Sequence, residues 1–162
     1  MSTSATVRLT GVLEPRAGWK AERCTIAKAL EVVNTRSALL ILREAFYGTT
    51  RFDDFAERVG ISEPVTAARL RELVDEGLLE REDYREPGQR TRRQYRLTEK
   101  GAGLFPVLVA LMQWGDRWLD ARGGPIEMLH RDCGETVRVE VRCGAGHQVE
   151  LGEVDVARRQ RV

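Results

Sequence analysis

Side chains able to bind a metal are concentrated near the C-terminal end. His130, Cys133, Cys143 and His147 are both histidines and two of the three cysteines of the chain, spaced H-x2-C-x9-C-x3-H. Imidazole and thiolate ligands drawn from two turns suit tetrahedral zinc. Gly134, Gly144 and Gly146 would let the backbone bend round an ion. A zinc ribbon carries C-x2-C at both knuckles, and this stretch does not. A zinc site, a metal-free hairpin and thiol redox chemistry all fit these residues, and no other cofactor is expected. The third cysteine, Cys24, stands where helical spacing begins. A thiol at a helix N-terminus feels the positive end of the dipole, which favours the reactive thiolate. The alternative is a small side chain packed near a dimer interface.

A second constellation is basic. Arg85, Arg90, Arg92, Arg93 and Arg96 lie within a dozen residues, opposed there only by Glu86. Planar guanidinium groups suit phosphate oxygens bidentately. Just before them a capped amphipathic segment begins at Ser62. Its outward positions are Glu63, Pro64, Ala67, Ala68 and Arg71, with Thr66 and Arg69 on the flanks. Arg69 and Arg71 can reach guanine or phosphate. The others are small or cannot donate, so base reading would rest on few hydrogen bonds and more on shape. Together these residues point to double-stranded DNA as the partner, with contacts from Glu63, Pro64, Thr66, Ala67, Arg69, Arg71, Arg85, Arg90, Arg92 and Arg93.

The elements that would position these groups can be read from periodicity. Ile26, Leu30 and Val33 share a helix face, which Asn34 and Thr35 break. Residues 37–47 are apolar nearly all round, as in a helix at the centre of a small domain. Thr50 can cap a short helix with Phe52, Phe55, Ala56 and Val59 facing inward. Gly60 makes a turn, Ser62 caps the next helix, and Pro64 fits its first turn. Thr66, Leu70, Leu73 and Val74 form the buried stripe of that helix, and Gly77 ends it. Strands over 78–84 and 91–97 flank a Pro87-Gly88 turn. Thr98 starts a long helix reaching about residue 121, with Pro106 kinking it or delaying its regular start. Gly123-Gly124-Pro125 is a linker, followed by alternating valines in a small hairpin. This order is that of a winged helix-turn-helix.

The whole chain supports the same class. Its 162 residues fit one domain plus an appendage, and 42% hydrophobic residues can build a core. A net charge of +1 makes any basic footprint local. No apolar run reaches the roughly 18–20 residues that span a bilayer, and the N-terminus lacks the apolar middle of a signal peptide. A cytoplasmic protein is expected, its cysteines reduced. No phosphate-cradling glycine motif occurs, and both histidines lie in the small appendage, so an enzyme is not expected.

Residues 24–119 resemble the HxlR family of bacterial winged-helix regulators, relatives of the MarR group. The matching stretches are CTIAKALEVV, LLILREAFYGTTRFDDF, the GIS before the recognition helix, LRELVDEGLLERE, and YRLTEKG ahead of a long helix. Thr25 stands where the family usually has Pro, Asn34-Thr35-Arg36-Ser37 replaces its usual Trp-containing corner, and the wing is longer and richer in arginine. The resemblance implies a homodimer held by the first and last helices on a pseudo-palindromic operator. It implies a repressor of its own or a neighbouring gene, and oxidant or electrophile sensing at Cys24. The expected fold is mostly α with a small β wing (α+β). Residues 1–22 would be a mobile arm, 23–122 the DNA-binding and dimerisation domain, and 123–162 a small β-hairpin extension. Two other readings stay open. One is a winged helix used only for protein contact. The other is a regulator with a small-molecule ligand in the dimer groove, where Trp114 and Trp118 would either line the pocket or pack the interface.

Overall fold

The computed structural model describes residues 6–14, 24–33, 35–84 and 92–159. The chain divides into two compact units. One is Thr25–Arg138, and the other combines Met1–Cys24 with Val139–Val162.

The larger unit is organised round its second helix. α1 (Thr25–Val32) leads to α2 (Arg36–Phe46). Thr35, expected as a breaker, also caps α2, its hydroxyl accepting from the Ala38 amide at 3.1 Å. Ala38, Ile41 and Leu42 of α2 are buried, and α3 (Phe52–Val59) and α4 (Glu63–Asp75) pack there through Phe55, Val59, Leu70 and Leu73. Thr50 is not the cap of α3. Arg51 holds that position without a side-chain cap, and the Thr50 carbonyl accepts instead from the Tyr95 amide at 2.8 Å. Backbone pairing to the wing has outcompeted the local cap. Gly60 ends α3 at φ 70°, a conformation that costs glycine little. The close turn that follows places α4 as the second helix of the helix-turn-helix.

β2 (Leu79–Tyr84) and β3 (Arg92–Leu97) form an antiparallel pair, in register from Leu79↔Leu97 to Tyr84↔Arg92. The base of this hairpin is in the core. Leu78, Leu79 and Tyr95 are buried, and Tyr95 meets Phe55 edge-on at 6.2 Å. A bridge between Arg51 and Gln94 adds a one-residue third edge.

Thr98 locks the wing to the helix that follows. Its hydroxyl accepts from the Gly101 amide at 3.0 Å and donates to the Gly77 carbonyl at 2.6 Å. The long helix expected over 98–121 is broken in two: α5 (Glu99–Ala102) and α6 (Phe105–Trp118). Pro106 supplies the reason. It has no amide to donate and fits only a first turn, so α6 restarts there and ends at Trp118. After α6 a short turn closes on itself through a Leu129↔Thr136 bridge, and Gln113 of α6 donates to the Val137 carbonyl at 2.7 Å. No helix among the described residues is long and apolar enough to cross a membrane.

In the smaller unit, β1 (Arg8–Leu9) pairs in parallel with β4 (Asp155–Val156). The Arg8 guanidinium grips the Asp155 carboxylate through bonds of 2.7 and 2.6 Å, which hold Asp155 below the usual carboxylate pKa. The mobile arm assigned to 1–22 therefore contains a strand at Arg8–Leu9. Two residues carry no periodicity, and their partner lies at the other end of the chain. The single hairpin expected in the extension is also corrected. Two separate turns form, bridged at Leu129↔Thr136 and Arg142↔Gln148, and they belong to different units. Each closes over a few residues through local backbone bonds, His130 N–H to Glu135 and Cys143 N–H to His147. Such short loops carry little closure entropy.

Candidate nucleic-acid interface

α4 presents its outer face because its inner one is filled. Thr66, Leu70 and Leu73 form the buried ridge. Thr66 therefore does not offer its side chain to a base. It is fully buried, and its hydroxyl donates back to the Ser62 carbonyl at 3.0 Å. Glu63, Pro64 and Arg71 are exposed, and Ala67 is half-buried. Arg69 is half-buried as well, its guanidinium held by Glu72 one turn along the same helix. Of the two arginines expected to read bases, only Arg71 stands clear.

The wing sorts its charges by face, because side chains alternate along a strand. On one face Arg96 meets the Glu82 carboxylate at 2.9 Å, and Gln94 donates to the same carboxylate at 2.9 Å. Arg96, one of the basic residues clustered round the turn, is thus neutralised by its cross-strand neighbour. The other face buries Leu79 and Tyr95 at its base and continues outward as Arg81 and Arg93. Arg85 and Arg90 lie outside the described residues.

Between α4 and the wing runs an open cleft of about 1080 Å³. Arg71 and Ala67 of α4 line one side, and Arg81, Arg92, Arg93 and Tyr84 line the other. Arg51 closes one end, its guanidinium 5.6 Å from the centre of the Tyr84 ring. Arg71, Arg81, Arg92 and Arg93 make no ion pair with any described residue, and Asp53, Asp75 and Glu80 line the same cleft. Arg51 and Arg81 were not expected from the sequence. Arg81 was accessible to it, since it lies two residues beyond the buried Leu79 and so shares that face. Arg51 gave no such signal, because its place depends on the bridge to Gln94.

A buried carboxylate supports the first helix of the helix-turn-helix. Glu44 of α2 accepts from Arg43 at 2.7 Å and from the Thr49 hydroxyl at 3.3 Å, and Thr49 accepts from Arg58 of α3 at 2.7 Å. Arg58 also lies 3.7 Å from Asp54. The chain from Glu44 to Arg58 fixes α3 against α2. Its acidic member gave no sign in the sequence beyond an interrupted apolar run.

The other candidate residues lie elsewhere. Cys24 is a free, half-buried thiol immediately before α1. His130 Nδ1 lies 3.2 Å from Cys133 Sγ, and His147 Nδ1 lies 3.6 Å from Cys143 Sγ. Each pair closes on its own turn, the first in the larger unit and the second in the smaller. No group of three or more His, Cys, Asp or Glu placed to hold a metal ion occurs among the described residues.

A family model described as HxlR-like helix-turn-helix matches residues 32–123. The chain belongs to the HxlR-like helix-turn-helix family. Relatives and solved structures agree. An uncharacterised HTH-type transcriptional regulator of Mycobacterium tuberculosis, Rv3095, is 45% identical over 120 residues, 74% of this chain and 75% of the relative. The crystal structure of PA1607, a candidate transcription factor, superposes with a TM-score of 0.77 at 34% identity, over 85% of this chain and 96% of that one. The reduced form of HypR, a redox regulator, has a TM-score of 0.54 at 26% identity, over 59% of this chain and 94% of its own. This HxlR-like protein is a transcriptional regulator of winged-helix fold, mostly helical with a two-stranded wing.

Proposed function

We propose that this HxlR-like regulator acts as a homodimeric repressor on a pseudo-palindromic operator, with α4 in the major groove and the wing along the adjoining backbone. The observation that carries the reading is the cleft between them, where Arg71, Arg81, Arg92 and Arg93 converge without an ion pair to any described residue. Glu63, Pro64, Ala67 and Arg71 face the bases, and Arg81, Arg92 and Arg93 face phosphate. Dimerisation draws support from the exposed apolar residues Val107, Leu111, Trp114 and Trp118, which share one face of α6, and from Ile26 and Leu30 on α1. A mobility-shift assay with duplex DNA from upstream of the protein's own coding sequence tests the reading. A shift at low salt that survives non-specific competitor is expected. No shift with excess protein would favour a winged helix that contacts only proteins.

The signal sensed through this fold is proposed to be oxidative, acting at Cys24. The place of this free thiol, just ahead of an interface helix, and the likeness to the redox regulator HypR support it. Oxidant is expected to release wild-type protein from DNA and to leave Cys24→Ser bound. Equal release of both would overturn it. A second reading, response to a small apolar molecule, is favoured by a cavity of about 300 Å³ between α2 and α6, walled by Leu39, Leu40, Phe46, Phe105, Leu108 and Met112. In that case such a molecule would release both proteins alike.

A further inference from the structure

The first two turns of α4 carry a side chain whose exposure the fold does not explain. Val65 is 41% exposed, although the helix buries a complete ridge of its own at Thr66, Leu70 and Leu73. With 3.6 residues per turn, Pro64, Ala68 and Arg71 lie opposite that ridge, and Val65 adjoins Pro64 and Ala68 at the N-terminal end. The leading part of the helix therefore offers an apolar patch with no hydrogen-bond donor in its side chains. Glu63 beside it can only accept. Apart from the exposed Ser62 hydroxyl just ahead of the helix, the nearest unburied donors lie further along. Arg69 is held by Glu72, and Arg71 lines the cleft toward the wing.

In a helix-turn-helix the N-terminal residues of the second helix meet base edges in the major groove. Of the groups displayed there, the C5 methyl of thymine is the one that an apolar side chain contacts favourably, and the cytosine amino group is the one that a carboxylate accepts from. We infer that Val65, with Ala68 and Pro64, is a specificity-determining residue that reads thymine methyl groups, so that each half-site carries thymine beneath the start of α4. This rests on the proposed insertion of α4 into the major groove.

The experiment begins with selection of bound sequences from a random duplex pool by the full-length wild-type protein. Each thymine of the selected half-site is then replaced by deoxyuridine, which removes the methyl group and leaves base pairing intact. At one or two positions wild type is expected to bind the uracil duplex more weakly by about fourfold per methyl removed. Val65→Ala, a change at a solvent-facing position, is expected to bind thymine and uracil duplexes equally. Equal wild-type binding to thymine and uracil duplexes at every position would overturn the inference, as would a thymine preference that persists in Val65→Ala. Those results leave DNA binding itself intact. Failure to enrich any sequence would instead overturn the DNA-binding reading, and this inference with it.

Discussion

Residues with the same chemistry divide here by what holds them. Arg69 and Arg96 are engaged by Glu72 and Glu82, while Arg71, Arg81, Arg92 and Arg93 line the cleft without an ion pair to any described residue. An exposed ion pair contributes little to stability, but it removes a guanidinium from competition for phosphate. Replacing Arg81, Arg92 and Arg93 together with alanine is expected to weaken binding to operator and random duplexes alike. It should also flatten the dependence of log K on log salt by roughly 0.9 for each phosphate no longer neutralised. Fluorescence anisotropy at several salt concentrations measures both, and an unchanged slope would place these residues off the backbone. The opposite case is Glu44, buried and committed to Arg43 and Thr49. Glu44→Ala strands the Thr49 hydroxyl and loosens α3, with an expected loss of about 1–3 kcal/mol in urea unfolding. The sequence revealed the excess of arginine, because composition is local. It did not reveal which arginines are neutralised, because those pairings cross strands or depend on which helix face is buried.

Elements meet at the seam where the end of α4, the base of the wing and α5 converge. There Thr98 caps α5 and donates to the Gly77 carbonyl, and a Cβ on Gly101 would overlap the Leu78 carbonyl oxygen. That clash is with backbone, which cannot swing aside. Gly101→Ala is therefore expected to lower stability by about 1–3 kcal/mol and to reduce DNA affinity by shifting the wing against α4. Thermal unfolding together with binding at a temperature where the variant remains folded separates the two effects, and an unchanged melting temperature would show that the seam yields. The cap at Thr98 was legible, since a threonine followed by Glu99 starts a helix by local chemistry. The need for glycine at 101 was not, because it arises from the approach of a carbonyl more than twenty residues earlier in the chain.

For the molecule as a whole, two features lie beyond its helix-turn-helix. The exposed stripe of α6, Val107, Leu111, Trp114 and Trp118, is the surface on which a second copy is expected to seat. Trp118→Asp combined with Leu111→Asp should give a monomer by sedimentation and a marked loss of affinity for paired half-sites, because a linked pair of DNA-binding modules becomes a single one. A variant that remains dimeric would move the interface elsewhere. The second feature is the pairing of β1 with β4. Asp155 has its pKa depressed by the hydrogen bonds from Arg8. Its contribution is therefore complete above the ordinary carboxylate range and fades as pH falls through the depressed value. Amide exchange at Arg8 and Thr10, which bond Val154 and Val156, should quicken across that acidic window relative to the core of α2. Arg8→Ala should show fast exchange at every pH.

The amino-acid sequence alone determined the helix-turn-helix, the wing and the family, because each rests on short-range signals: a cap, a glycine stop, an apolar stripe of period 3.6 and a cluster of like charges. It also located Pro106 as the point where the last helix would be disturbed. Only the tertiary structure decided that Thr66 is buried while Val65 is exposed, that Arg81 and Arg51 join the basic cleft while Arg69 and Arg96 are tied up, and that Arg8–Leu9 forms a strand. Those outcomes depend on partners distant in the chain or on the rotation of a helix about its axis. Periodicity within one element fixes such a rotation only to within a residue, and packing against α2 completes it.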